Sequence, residues 1–177
     1  MRAINNSGLK EVYMLDKKIY DLINDQINKE LYSAYLYVDF SFYFGGRGLS
    51  GFASWYMKQA KEEVEHAEKF IHYLHDNGMK VELLAIDKPD KKLNDDMSVL
   101  KMGLEHEQYV TGLINKIYDA AFEIKDYKTM GFLDWFVKEQ IEEEANAEEL
   151  ITKYELFAGC ESGLYSLNKE LGKREGC

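Results

Sequence analysis

Residues 50–77 read SGFASWYMKQAKEEVEHAEKFIHYLHDN. Within them Phe52, Tyr56, Gln59, Glu63, His66, Phe70 and Tyr73 recur at alternating steps of four and three. Such steps keep side chains on one face of an α-helix. The face is apolar at both ends, so it is expected to be buried. At its middle stand a carboxylate and an imidazole, both metal-ligand types. Buried carboxylates are costly unless something positive lies among them.

Three other stretches repeat the pattern. One runs Ile23, Ile27, Glu30, Ala34, Tyr37 and another Leu100, Gly103, Glu107, Val110, Ile114, Ile117, Ala121. The last runs Leu133, Phe136, Gln140, Glu143, Ala147, Leu150, Tyr154. Four helices are therefore expected, over about 16–44, 50–77, 96–124 and 129–158. Gly45-Gly46, Gly48 and Gly78 break the first two, and Ser50 is the expected N-cap of the second. Leu164, Leu167 and Leu171 predict a short fifth helix with an apolar face, expected to pack at a symmetry axis of an assembly. Residues 1–13 read as a loose extension, leaving one domain over 14–177.

Loop lengths set the topology. The turns joining the first and second helices and the third and fourth are short, which makes each pair antiparallel. The connection over 78–95 holds Pro89, the single proline. Its 18 or so residues can reach about 59 Å at about 3.3 Å each. A helix of about 28 residues spans roughly 42 Å. The connection can therefore traverse the bundle and leave the second and third helices parallel. The fold class is all-α, a four-helix bundle with one long crossover and a short C-terminal helix.

Composition narrows the function. The formal net charge is −10, from 32 acidic and 22 basic residues. That disfavours nucleic acid and anionic membranes as partners and favours attraction of cations. No run of eighteen apolar residues exists to span a membrane. The start of the chain has no apolar signal segment, and a cytoplasmic setting is the default expectation. Cys160 and Cys177 form neither a zinc pattern nor a disulfide framework.

Glu30, Glu63, Glu107 and Glu143 each fall near mid-helix, so they are expected at one level of the bundle. His66 and Gln140 sit three residues from Glu63 and Glu143 and share their faces. Two divalent cations would balance the four carboxylates. Oxygen ligands with one nitrogen and no thiolate suit iron or manganese. A second acidic set, Glu62, Glu139 and Glu142, adjoins the first and could hold a further ion with Glu143 shared.

The stretches Glu30-Leu31-Tyr32-Ser33, Glu62-Glu63-Val64-Glu65-His66, His106-Glu107-Gln108 and Glu139-Gln140-Ile141-Glu142-Glu143-Glu144 resemble those of non-haem bacterial and archaeal ferritins. The resemblance covers essentially 14–171. It implies a ferroxidase that oxidises ferrous iron with oxygen or peroxide and stores ferric mineral in a cage of about twenty-four subunits. It implies one iron on Glu30, Glu63 and His66. It implies a second on Glu63, Glu107, Gln140 and Glu143, with Glu63 bridging, and a third on Glu62, Glu139, Glu142 and Glu143. Tyr37 and Trp135 match aromatic residues that the family keeps beside the site. Haem-containing relatives carry a methionine after the bridging glutamate, where this chain has Val64, and no haem is expected. His72, His75 and His106 lie off the ligand seam and are expected to be surface or interface residues. Two other readings stay open: a di-iron oxidase or peroxidase that stores nothing, and a plain helical interaction module.

Overall fold

Side-chain caps set most of the helix starts. Asp16 accepts from the backbone N–H of Lys18 and Ile19 and opens α1, Lys17–Gly46. Asp95 and Ser98 form a reciprocal capping box before α3, Asp96–Glu123. Asp126 accepts from Thr129 N and starts α4, Tyr127–Phe157. Between α3 and α4 the chain turns at Lys125, in the left-handed region at φ 58°.

The second helix, α2, Ser50–Asp76, begins differently. Ser50 is its first helical residue and not its cap. The residue before it, Leu49, has no side chain able to accept. The missing acceptor comes from α5, Glu161–Leu171. There Asn168 Oδ1 accepts from Gly51 N at 2.7 Å and Phe52 N at 3.3 Å. The approach is close enough to exclude any side chain at Gly51, whose Cβ would stand 1.6 Å from the Asn168 carbonyl oxygen.

The structure, a computed structural model, describes residues 15–173. The expected extension over 1–13, and Cys177, lie outside them. Among the described residues the five helices are the only regular elements. Two apolar clusters show the directions of the helices. One joins Ile19, Ile23 and Ile27 of α1 to Phe70 and Leu74 of α2, Val110 to Ala121 of α3, and Leu133 and Phe136 of α4. The other joins Leu36 to Phe44 of α1, Phe52 to Ala60 of α2, Val99 and Leu100 of α3, and Leu150 of α4. Each helix contributes one half to each cluster. Hence α1 runs against α2, α3 runs against α4, and α2 and α3 are parallel, as the loop lengths predict.

The crossover returns along α1. Tyr20 donates to the Lys80 carbonyl, Asn24 exchanges two hydrogen bonds of 2.9 Å with the backbone of Glu82, and Asn28 donates to the Ala85 carbonyl. These α1 residues are spaced by four and share one face. At the far end Asp96 is buried and accepts from Tyr43, Tyr154 and Arg47, whose Nε is 2.6 Å away. That contact ties the α1–α2 turn to the start of α3 and the end of α4.

The fifth helix finds cover for its apolar face within its own chain. Leu167 and Leu171 are 2% and 7% exposed because they join the cluster formed by the four long helices of the same chain. Leu164 packs against it too. This apolar face is already covered, so it does not by itself call for a symmetry axis.

Candidate metal centre

Between the two apolar clusters the four seams turn polar together. Glu30, Glu63, His66, Glu107, Gln140 and Glu143 are each 5% exposed or less. The match in depth follows from the topology: each residue is near the middle of its helix, and reversing a helix leaves its middle in place.

Glu30, Glu63 and His66 each present a ligand atom within 4.8 Å of the others. His66 Nδ1 is 3.6 Å from Glu63 Oε2. Gln26, one turn before Glu30 on α1, donates to Glu30 Oε1 at 2.8 Å. Among the described residues, Glu30 Oε2 is the buried side-chain atom left with no hydrogen-bond partner. An orphaned buried oxygen of that kind costs about 1–3 kcal/mol, and more when charged, unless a cation takes it up.

Glu107 stands opposite. The Tyr37 hydroxyl donates to one of its carboxylate oxygens. The Gln140 amide donates to its Oε2 at 3.3 Å and to its carbonyl at 3.2 Å. Tyr37, expected beside the site, lies on the Glu30 face of α1, and its hydroxyl engages Glu107 across the bundle. Glu143 Oε2 accepts from Gln59 at 2.7 Å.

Electrostatics carry the same message. Burial, then repulsion from Glu63, hold the Glu30 carboxyl well above its usual range. Burial, then repulsion from Glu107, do the same to Glu63. Burial pushes Glu107 up to about 7, against hydrogen bonds from Tyr37 and Gln140 that pull it down. Burial, with repulsion from Glu107 and Glu62, brings Glu143 to about 7. These carboxylates resist ionising together in water-poor surroundings. Divalent cations reverse that preference, because they neutralise the charge and satisfy the oxygens.

The acidic annex is assembled only in part. His66, Glu139 and Glu143 form a second grouping with ligand atoms within 4.8 Å, and His66 Nε2 lies 3.6 Å from Glu139 Oε1. Glu62 is half-buried and near enough to act by repulsion on both Glu63 and Glu143. Glu142 is exposed. Neither grouping includes Glu62 or Glu142, and His66 enters the second where it was expected only in the first.

The surroundings add detail to the remaining histidines. His72 and His75 are exposed, whereas His106 is half-buried and held by contacts within the bundle. Its Nε2 is 2.7 Å from Ser33 Oγ, and its ring meets the Tyr37 ring edge-on at 5.9 Å. Burial pushes it down to about 4, so it is neutral near pH 7. Trp135 lies where expected, against the His66 ring with centroids 5.5 Å apart. Gln26 was not anticipated; its position one turn before Glu30 was the available signal.

Known proteins resemble the chain over most of its length. Residues 20–157 match the Ferritin family, described as the ferritin-like domain. A bacterial non-heme ferritin of Campylobacter jejuni is 38% identical over 152 residues, which span 86% of this chain and 91% of that protein. One from Staphylococcus aureus is 35% identical over 161 residues, spanning 91% and 97%. An open pore ferritin from the hyperthermophilic archaeon Archaeoglobus fulgidus superposes with a TM-score of 0.88 at 37% identity, covering 91% of this chain and 98% of that one. A closed form of the same ferritin, engineered by site-directed mutagenesis, gives 0.89 at 36% identity, covering 92% and 99%. With the match extending over all four long helices, the chain belongs to the ferritin family.

Proposed function

We propose that this protein is an iron-storage ferritin, oxidising Fe(II) at the buried centre and holding the Fe(III) mineral inside a closed assembly of its own copies. The observation that carries the reading is the set of four buried glutamates, held at one level, with Glu30 Oε2 left without a hydrogen-bond donor. A helical interaction module has no use for such a set.

Iron is the substrate. Glu30, Glu63 and His66 would hold one ferrous ion, and Glu63, Glu107, Gln140 and Glu143 the other, with Glu63 between them. Each ion gives up one electron to oxygen or peroxide. The glutamates keep their negative charge as the ions become ferric, which stabilises the oxidised pair. Gln59 and Gln26 fix Glu143 and Glu30 through their amide groups. Tyr37 is placed to supply an electron or a proton through its contact with Glu107. Val64 is the residue after the bridging glutamate, which fits iron without haem.

Net charge of −10 favours the gathering of cations. Assembly is supported by the crossover, which exposes Leu83, Leu84 and Ile86 side by side. The family cage of about twenty-four subunits is the assembly proposed. No helix among the described residues is long and apolar enough to cross a membrane. The test is ferrous oxidation followed by stopped-flow absorbance. The parental protein should show a fast phase that saturates at two iron ions per subunit in this proposal. Absence of that phase, with the protein assembled and helical, would refute the reading.

A further inference from the structure

The His66 imidazole touches both metal-ligand groupings. Its Nδ1 faces Glu63 Oε2 and its Nε2 faces Glu139 Oε1, each at 3.6 Å. A neutral imidazole has one lone pair and one N–H. It therefore cannot coordinate a cation in each grouping at once. If Nδ1 binds the ion held with Glu30 and Glu63, Nε2 carries the hydrogen and points at the Glu139 carboxylate. Trp135 and Phe136 pack edge-on to the ring, at 72° and 77°, and hold it laterally. They fix its plane without deciding which nitrogen carries the hydrogen. That choice falls to the carboxylate, which is how metal-binding histidines are commonly oriented.

We infer that Glu139 is a positioning residue for His66 as well as a ligand of the acidic annex, and that these two tasks compete. The inference rests on the ferroxidase reading, since it requires Glu30, Glu63 and His66 to hold an ion. A filled first site makes the Nε2–H a stronger donor and draws Glu139 toward the ring. An ion on the annex draws the same carboxylate away. Each ion therefore weakens the other, and the weakening is equal in both directions. An ion arriving on the annex thus loosens the ion held by His66, which gives the centre a way to clear itself for the next pair. The side chain of Glu139 is 26% exposed, so it has room to swing between the two partners.

Two substitutions separate the tasks. Glu139→Gln keeps an acceptor oxygen for Nε2–H but loses the charge that the annex needs. Glu139→Leu loses both. The intact assembled protein, stripped of metal, is titrated anaerobically with Zn2+ by calorimetry, a redox-inert probe. Both variants should lose the weakest binding step. Glu139→Gln should keep the first-site affinity at or above the parental value, because the competitor is gone. Glu139→Leu should lower it by about ten- to a hundredfold. Elution volume and helical circular dichroism check that both remain folded; if the leucine variant fails to assemble, Glu139→Ala is read in its place. Equal first-site affinity in the glutamine and apolar variants overturns the inference while leaving the ferroxidase reading intact. No tight Zn2+ binding by the parental protein overturns both.

Discussion

Two acidic regions lie side by side, a central set drawn from all four long helices and an annex on α2 and α4, and they differ mainly in their access to water. In the central set every ligand is buried. In the annex Glu62 and Glu139 are half-buried and Glu142 is exposed. Water can solvate the annex carboxylates when no ion is there, so they tolerate standing empty. The central carboxylates have no such recourse, and their raised ionisation ranges record the cost. The contrast teaches that similar residues on the same helices make a tight site or a loose one according to what surrounds them.

The comparison breaks most completely at Glu63. Replacing it with Ala removes the one residue proposed to serve both irons. Losing a hydrogen-bonded neighbour of a ligand costs about ten- to a hundredfold, and losing a shared ligand should cost at least about a hundredfold in the fast oxidation. The assembly should stay intact, because the centre lies within one bundle. Stopped-flow absorbance and elution volume read the two outcomes separately.

A smaller and more selective effect is expected on α4. Glu143→Gln should weaken both the central pair and the annex, slowing the fast phase. Glu139→Gln should leave that phase near its parental rate while lowering the number of ferrous ions bound per subunit and slowing the later turnover that regenerates the site. Equal damage from both, or none from either, would mean that the acidic run on α4 is a solvated face and not a divided one. Metal-soaked crystals of the two variants would show which positions are lost.

Acidity distinguishes the regions without mutation. Glu107 and Glu143 rise from an ordinary 4.5 to about 7 in the folded protein. Between those values the folded state binds more protons than the unfolded one. Stability of the metal-free protein should therefore fall as pH rises from 4.5 to 7, and these groups add no further loss above that window. Cations displace the same protons, so their affinity should rise with pH over the same window. Thermal melts in chelator, with and without added Zn2+, would show the two opposed trends. A metal-free protein that gains stability from 4.5 to 7 would argue that these carboxylates are not buried as described.

The smallest change is at Tyr37. Tyr37→Phe keeps the packing against Phe40 and Tyr56 and removes one hydroxyl. Initial oxidation should slow, by about ten- to a hundredfold at most, with unchanged iron stoichiometry. An identical rate would leave Tyr37 a core residue that anchors Glu107.

The fold was readable because its signals are local and periodic. Steps of three and four placed Glu30, Glu63, Glu107 and Glu143 on buried faces, and loop lengths alone oriented the helices. Features that depend on distant partners were not readable. Asn168 caps α2 from 116 and 117 positions away, so Ser50 stood as the natural candidate. Leu167 and Leu171 looked unpartnered because no periodicity reveals that α5 folds back on its own bundle. His106 sits off the ligand seam, yet the packing of α3 against α1 brings it against Ser33 and Tyr37. The position of Glu139 on α4 could be read, but its approach to His66 could not, since that depends on how α2 and α4 face each other.

The central claim is that the buried pair feeds a mineral store. Native mass measured together with iron content after aerobic ferrous loading tests it most directly. The account predicts a large closed assembly carrying far more iron per subunit than its binding sites could hold. A monomer or dimer at micromolar concentration, or an assembly whose iron stops at the few ions its sites accommodate, would contradict it.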